Sequence, residues 1–241
     1  MRVTLFPTCL ADLLFPQAAG AARRVLERAG VEVDTAAGAV CCGQPAWNSG
    51  HVEEARRVAS GTLDALKDRE TVVLCSGSCT SMIHEYWPAL FAGTDREPEA
   101  RGVAERVREF SSFADEVLPE DAGGETSIGP ACYHDSCHML RMLRISEAPR
   151  NLLARAKVDL HELGAGDRCC GFGGTFSLRY PDLSSAMADE KVDDALAAGA
   201  GTVVASDLGC LMQIVGRARA RGVALEGRYI AEVIDEALGD R

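Results

Sequence analysis

Short apolar runs alternate with longer amphipathic stretches along the chain, and this pattern predicts β-strands separated by α-helices. The predicted strands are Arg2–Phe6, Val31–Thr35, Thr71–Leu74, Ile128–Tyr133, Val158–Leu163 and Thr202–Ala205. The predicted helices are Pro16–Ala29, His51–Lys67, Cys79–Phe91, Glu147–Ala156, Leu183–Ala198 and Leu211–Arg221. Regular alternation of strand and helix indicates an α/β fold, here two tandem, duplicated βαβ-type domains with parallel sheets.

A polar segment rich in turn-forming residues divides the two units. Residues Glu99–Leu118 are predicted to form a single helix, and the segment Pro119–Glu125 that follows carries two glycines, a proline and three acidic residues. We therefore expect a first domain over residues 1–120 and a second over residues 126–241.

The cysteines repeat with the same spacing in both halves. Cys9 precedes Cys41-Cys42-Gly43, and Cys137 precedes Cys169-Cys170-Gly171, each 128 positions further along the chain. Similar phrases then lead to a closing cysteine, Thr71-Val-Val-Leu-Cys-Ser-Gly-Ser-Cys79 and Thr202-Val-Val-Ala-Ser-Asp-Leu-Gly-Cys210. This correspondence indicates an internal duplication.

Two of the ten cysteines have no counterpart in the other half. Cys75 falls opposite Ser206, and Cys132 falls opposite Thr4 within the first predicted strand. A free cysteine behaves as a small apolar residue when it is buried. We therefore expect Cys75 and Cys132 to be core or strand thiols.

Each shared cysteine follows the carboxyl end of a predicted strand. Parallel α/β sheets bind ligands at that edge, where helix N-termini supply unpaired N–H groups. Glycines accompany the paired cysteines and allow close approach of the backbone to a bound group. The expected cofactor-binding glycines are Gly43, Gly171, Gly173 and Gly174.

Composition and charge narrow the possible functions. The chain of 241 residues has a net charge of −11, which argues against binding to nucleic acid phosphates. No apolar run is long enough to cross a bilayer, and the N-terminal apolar stretch is too short for an export signal. A cytoplasmic protein is expected, and reduced thiols there are typical of metal sites or redox chemistry.

Soft thiolates bind zinc, copper(I) or iron–sulfur clusters. Zinc sites usually draw their ligands from two closely spaced pairs, whereas these ligands span a whole domain and include adjacent cysteines, which favours a larger centre. We expect an iron–sulfur cluster in each half, with zinc as the alternative. The expected ligands are Cys9, Cys41, Cys42 and Cys79 in the first half and Cys137, Cys169, Cys170 and Cys210 in the second.

The two Cys-x₃₁-Cys-Cys-Gly motifs resemble the cysteine-rich CCG domain, which occurs twice in the cysteine-rich chain of heterodisulfide reductase and in the glycolate oxidase iron–sulfur subunit. The phrases that follow Cys42 and Cys170, and Gly77-Ser-Cys-Thr80, are most similar to the lactate utilization protein A branch. That resemblance implies an electron-transfer subunit of a cytoplasmic oxidoreductase complex that oxidises L-lactate to pyruvate. Its implied partners are a ferredoxin-type iron–sulfur subunit and a third small subunit.

The chain departs from these relatives in two ways. Heterodisulfide reductase closes each motif with Cys-x₂-Cys, whereas here Cys79 follows Cys75 after three residues and Cys210 stands alone. A four-thiolate [4Fe–4S] cluster in each half is therefore the simpler expectation. The ferredoxin-type cysteine runs of the glycolate oxidase subunit are also missing, so a partner has to exchange electrons with this chain.

Other interpretations remain open at this point. The chain could be a cluster-dependent thiol–disulfide reductase subunit, or a zinc-stabilised interaction module without catalysis. His134 and His138 flank Cys137, where they could tune the centre, replace a ligand or shuttle a proton, or simply cap the end of a strand.

Overall fold

A computed structural model describes residues 1–239 and contains two parallel sheets, one in each half. The first half supplies strands β1 (Arg2–Phe6), β2 (Glu32–Thr35), β3 (Val72–Leu74) and β4 (Val107–Glu109), in the order β2-β1-β3-β4. The second half supplies β5 (Ala131–Tyr133), β6 (Leu160–His161), β7 (Thr202–Ala205) and β8 (Glu226–Tyr229), in the order β6-β5-β7-β8. The predicted α/β class with duplicated parallel sheets is confirmed.

Helices connect the strands within each half. The first half contains α1 (Cys9–Leu14), α2 (Pro16–Arg28), α3 (Gln44–Asn48), α4 (Val52–Leu66), α5 (Gly77–Ser81), α6 (Trp87–Leu90), α7 (Glu97–Ala104) and α8 (Phe110–Val117). The second half contains α9 (Glu147–Arg155), α10 (Phe176–Arg179), α11 (Pro181–Ala197), α12 (Leu208–Ala220) and α13 (Ile230–Leu238). Each half also contains a π-helical segment, at Met82–Tyr86 in the first and at Met139–Leu143 in the second.

The sheets have equivalent registers, as the repeat requires. Thr4 of β1 pairs with Val72 of β3, and Cys132 of β5 pairs with Val203 of β7. Cys132 therefore occupies the position of Thr4 in the duplicated sheet. Because all pairings are parallel, the carboxyl ends of the strands meet at one edge of each sheet.

Two sequence-based assignments were wrong. The single helix expected over Glu99–Leu118 is interrupted by strand β4, and no strand was expected at β8. Both missed strands lie at sheet edges and carry arginine and glutamate, so apolar periodicity could not reveal them. The helix expected over Cys79–Phe91 begins two residues earlier, at Gly77, and changes to a π-helical segment at Met82.

One hydrophobic core runs through both halves. It contains residues from α2 and α8 of the first half and from α9 and α13 of the second. Helix α2 packs against α13, and α8 packs against α9, which places equivalent helices on both sides of the junction. A second core, confined to the first half, packs around Trp87 and Phe91. Among residues 1–239, no helix has the length and apolarity needed to span a bilayer.

Candidate metal centres

The four shared cysteines of the first half come from separate elements at the carboxyl edge of the sheet. Cys9 begins α1, Cys41 and Cys42 lie in the loop before α3, and Cys79 lies in α5. The Sγ atoms of Cys42 and Cys79 are 3.4 Å apart. Hydrogen bonds from the thiols of Cys42 and Cys9 hold the pKa of Cys41 well below its ordinary value, so Cys41 is the thiolate of this quartet.

The second half repeats this arrangement. The Sγ atoms of Cys170 and Cys210 are 3.2 Å apart, and those of Cys137 and Cys169 are 3.9 Å apart. Hydrogen bonds from Cys137 and Cys170 lower the pKa of Cys169, as their counterparts do for Cys41. The structure therefore brings each predicted quartet together.

The glycine that follows each pair of cysteines donates a backbone hydrogen bond to the first sulfur of that pair. The Gly43 N–H donates to Cys41 Sγ over 3.5 Å, and the Gly171 N–H donates to Cys169 Sγ over 3.4 Å. Their φ angles are +86° and +84°, a region that glycine adopts without strain. A Cβ atom would lie 2.8 Å from Ala55 O at Gly43 and 2.7 Å from Ser184 O at Gly171, so neither position has room for a side chain.

The two quartets line one cavity between the halves, with a volume of about 230 Å³. Gly173 and Gly174 also line it, which places these two predicted glycines beside the cysteines. The cysteines that line the cavity are Cys9, Cys41, Cys42, Cys79, Cys137, Cys169, Cys170 and Cys210. None of the cysteines in residues 1–239 forms a disulfide.

These residues fit a thiolate-bound metal group. Each quartet offers four sulfur donors along the shared cavity, one of them already favoured as a thiolate, and a backbone N–H directed at that sulfur. Backbone hydrogen bonds to sulfur are a feature of iron–sulfur sites. The group would be held by Cys9, Cys41, Cys42 and Cys79 in the first half and by their counterparts in the second.

Cys75 and Cys132 lie away from the quartets. Cys75 follows β3 and Cys132 lies in β5, and both are fully buried in the core shared by the two halves. Burial raises the pKa of Cys75 to about 12 and that of Cys132 to about 11, so both remain neutral thiols.

Comparison with known proteins identifies the same duplication. The model of the CCG cysteine-rich domain matches residues 3–84 and again residues 131–215. The chain belongs to the CCG cysteine-rich domain family.

Relatives of this CCG protein share nearly its whole length. It is 43% identical over 237 residues to lactate utilization protein A of Bacillus thuringiensis (strain Al Hakam) and of Bacillus cereus (strain AH187), and to lactate utilization protein A 1 of Bacillus anthracis (strain A0248). Each match covers 98% of this chain and 99% of the relative.

Polar residues that no sequence motif revealed join the two centres of this CCG protein. Buried Asp207 accepts hydrogen bonds from Ser78 N (2.7 Å), Ser78 Oγ (2.9 Å) and Ser76 Oγ (3.0 Å) of the first half. It also accepts one from Ser136 Oγ (3.0 Å) of the second. The available signal was positional, because Asp207 in the second repeat stands where Ser76 stands in the first.

A tryptophan that no sequence pattern singled out fixes the backbone of the first paired-cysteine loop. Trp87 is fully buried, and its Nε1–H donates to Cys42 O over 2.9 Å. Two other aromatic residues follow the paired cysteines. Phe172 lines the shared cavity, whereas the Trp47 ring packs against the Tyr86 ring, with 5.9 Å between the ring centroids.

Proposed function

We propose that this chain is an iron–sulfur electron-transfer subunit of a lactate-utilization system. The observation that carries the proposal is the presence of two cysteine quartets of the same construction around one cavity. The curated relatives that match nearly the whole chain are named for lactate utilization. We further propose that the halves act as domains over residues 1–120 and 126–241, with one [4Fe–4S] cluster in each.

The residues around each quartet have distinct tasks in this proposal. Cys41 and Cys169 are already favoured as thiolates, and the N–H groups of Gly43 and Gly171 stabilise their charge. Phe172 provides an apolar wall that limits water around the second quartet. When bound, an iron–sulfur cluster carries one electron at a time, so two clusters suit the two electrons released by oxidation of a 2-hydroxy acid.

The proposed system is a cytoplasmic complex that oxidises L-lactate to pyruvate. Ten cysteines without a disulfide among the described residues suit a reducing compartment. We propose a ferredoxin-type iron–sulfur subunit and a third small subunit as partners, because this chain has to exchange electrons with other proteins.

Metal analysis after anaerobic purification tests the proposal. We expect iron and acid-labile sulfide in equal amounts, brown colour, and an EPR signal that appears on reduction. A Cys41→Ser, Cys169→Ser double variant is the matched control and should contain neither iron nor sulfide. Anaerobically purified and reconstituted protein that contained only stoichiometric zinc would refute the redox function.

The sulfur spacing favours zinc as the second candidate. Zinc–sulfur bonds of about 2.3 Å separate the sulfurs of a tetrahedral site by about 3.8 Å. The close pairs here are 3.2 to 3.9 Å apart, and among the described residues the ligand atoms of His134, Cys170 and Cys210 form the group within 4.8 Å of one another, so the second quartet comes nearest to the spacing of a single ion. This alternative predicts a colourless protein that a chelator unfolds without any reductant.

A further inference from the structure

The surroundings of the two quartets differ although the cysteines repeat. The duplication places His134 where the first half has Phe6, and His138 where it has Leu10. An imidazole can donate a hydrogen bond to sulfur, whereas the side chains of Phe6 and Leu10 cannot. The second quartet is therefore accompanied by two polar rings for which the first has no counterpart.

The tautomer of His138 is fixed by the first half of the molecule. Gln44 Nε2 lies 3.0 Å from Ser78 O and donates a hydrogen bond to it. The amide cannot be turned over, because its oxygen would then face the Ser78 carbonyl oxygen with no proton between them. The same nitrogen lies 3.4 Å from His138 Nε2, which must accept because an amide nitrogen only donates. The proton of the neutral ring is then on Nδ1, 3.6 Å from Cys137 Sγ.

His134 is a buried imidazole without a protein partner. Its exposed fraction is 0%, and neither ring nitrogen has a hydrogen-bond partner among the described residues. A ring nitrogen of His134 and the sulfurs of Cys170 and Cys210 all lie within 4.8 Å of one another. A buried polar group without a hydrogen-bond partner costs free energy of folding. We therefore expect a group bound by these cysteines to be the partner of His134.

His134 is better suited to donate a hydrogen bond than to bind a metal directly. A metal-binding histidine usually donates its other N–H to a carboxylate, a carbonyl or water, which orients the ring. No described residue accepts from His134 in this way. If His134 instead donates its N–H to a sulfur of the bound group, the only ring nitrogen left without a partner is the one that accepts.

A buried lysine is a further difference between the surroundings of the two quartets. Lys191 is 2% exposed, and its Nζ donates to Ala165 O (2.6 Å) and Gly166 O (3.1 Å). Its positive charge interacts with the carboxylates of Asp194, Asp135 and Asp167 and, more weakly, with Cys170 of the second quartet. Ala55 contacts Gly43 as Ser184 contacts Gly171, and the same offset places the neutral Thr62 opposite Lys191.

We propose that the two centres are inequivalent, and that the second has the higher reduction potential because His134 and His138 donate hydrogen bonds to its sulfurs. This inference rests on the proposed iron–sulfur function. Reduction adds negative charge to a cluster, and N–H donors stabilise that charge. The first centre, beside Phe6 and Leu10, lacks these donors. Electrons that enter the chain therefore reduce the second centre first.

An EPR-monitored redox titration of single-centre variants tests the inference. The full-length Cys42→Ser variant isolates the second centre, and the Cys170→Ser variant isolates the first. We expect a higher midpoint potential in Cys42→Ser. Adding His134→Phe or His138→Leu to it should shift that potential to more negative values, whereas either substitution in Cys170→Ser should leave the potential of the first centre unchanged.

Conservative replacement separates a hydrogen bond from a packing effect. His134→Asn keeps an N–H donor, so its potential should lie closer to that of the parent than the His134→Phe potential does. Equal potentials for the two centres, or unchanged potentials in both histidine variants, would overturn the inference. Protein without any cluster would instead refute the proposed function on which the inference rests.

Nitrogen spectroscopy decides the case if His134→Phe fails to bind iron. In a Cys42→Ser, His138→Leu chain labelled with ¹⁵N-histidine, pulsed EPR should detect one weakly coupled nitrogen near the reduced cluster, as a hydrogen bond requires. The strong coupling of an iron-bound nitrogen would overturn the assignment, and so would the absence of any coupling.

Discussion

At the scale of single residues, one sulfur in each quartet collects the hydrogen bonds of its neighbours. Cys41 receives them from Cys42, Cys9 and the Gly43 N–H, and Cys169 receives the equivalent set. The same bonds raise the pKa of Cys9 and Cys137 above the ordinary value, since a thiol that donates to a thiolate keeps its proton. Metal binding must therefore displace protons from the outer cysteines of each quartet.

Removal of one shared cysteine should disable one centre. Cys42 is buried and lies 3.4 Å from Cys79, so Cys42→Ser removes a central sulfur of the first quartet. We expect the iron content of the anaerobically reconstituted chain to fall to about half. Cys75→Ser is the matched control, because Cys75 is equally buried but belongs to the core. Loss of iron in Cys75→Ser, or full iron in Cys42→Ser, would show that the wrong thiols were assigned.

Glu109 makes the stability of the fold depend on pH. Its carboxyl group is 1% exposed, and burial raises its pKa from 4.5 to about 7. The fold therefore favours the protonated form, so stability is full below about pH 4.5 and decreases until about pH 7, by roughly 3 kcal/mol. Glu109→Gln cannot ionise and should lack this decrease.

The free energy of urea unfolding at about pH 5 and about pH 8 measures this effect. The variant should gain stability relative to the natural chain at the higher pH, even if its amide lowers stability equally at both. Glu120→Gln, on the exposed end of the first half, should behave as the natural chain does. A difference between Glu109→Gln and the natural chain that is the same at both pH values would contradict the assigned pKa.

At the scale of elements, each paired-cysteine loop packs against the second helix that follows it in the chain. Gly43 contacts α4 through Ala55 O, and Gly171 contacts α11 through Ser184 O. The hydroxyl of Thr62 on α4 accepts hydrogen bonds from Val40 N and Cys41 N, each 3.2 Å long. The helix therefore determines where the loop places its sulfurs.

Gly43→Ala should disrupt this contact. A positive φ costs a residue with a Cβ roughly 1–2 kcal/mol, and at Gly43 the added Cβ also collides with Ala55 O at 2.8 Å. We expect a larger loss of stability than in Gly30→Ala, where φ is +76° but no atom lies within 4 Å of the added Cβ. Urea unfolding and iron analysis compare the two variants. Equal stabilities with full iron in both would show that the contact with α4 is unimportant.

The sequence predicted elements well where packing is two-sided and poorly where it is not. Strands β1 and β7 are buried on both faces and were predicted with the bounds that the structure shows. Strand β4 pairs only with β3, and its central Arg108 reaches out to Glu116, so its sequence lacks the apolar run of an inner strand. Strand β4 forms because it pairs with β3, which is distant in sequence, and a local sequence pattern does not reveal such a pairing.

At the scale of the whole molecule, the repeat predicted two quartets but not their common cavity. The spacing of cysteines describes one half at a time, whereas the relation between halves depends on α2 packing against α13. Arg24 of α2 supports that contact through two hydrogen bonds to Asp235 Oδ2, at 2.8 and 2.6 Å. The placement of the two quartets around one cavity therefore results from tertiary packing between the halves.

Asp207 connects the halves at the point where the centres meet. Its carboxylate accepts from Ser76 and Ser78 beside Cys79 and from Ser136 beside Cys137, so we expect both quartets to depend on it. Asp207→Ala leaves these donors buried without an acceptor and should reduce the free energy of unfolding by about 3 kcal/mol. Iron binding should weaken at both centres together.

Asp193→Ala provides the control for this prediction. Asp193 pairs with Arg221 on the surface, with a side chain 62% exposed, and its loss should cost no more than about 1 kcal/mol. Urea unfolding of the two variants, with iron counted in Cys42→Ser and Cys170→Ser backgrounds, separates the outcomes. If Asp207→Ala weakened only the second centre, the carboxylate would serve its own half alone.

Because the shared core is continuous through α2, α8, α9 and α13, we expect a single unfolding transition in which both centres are lost together.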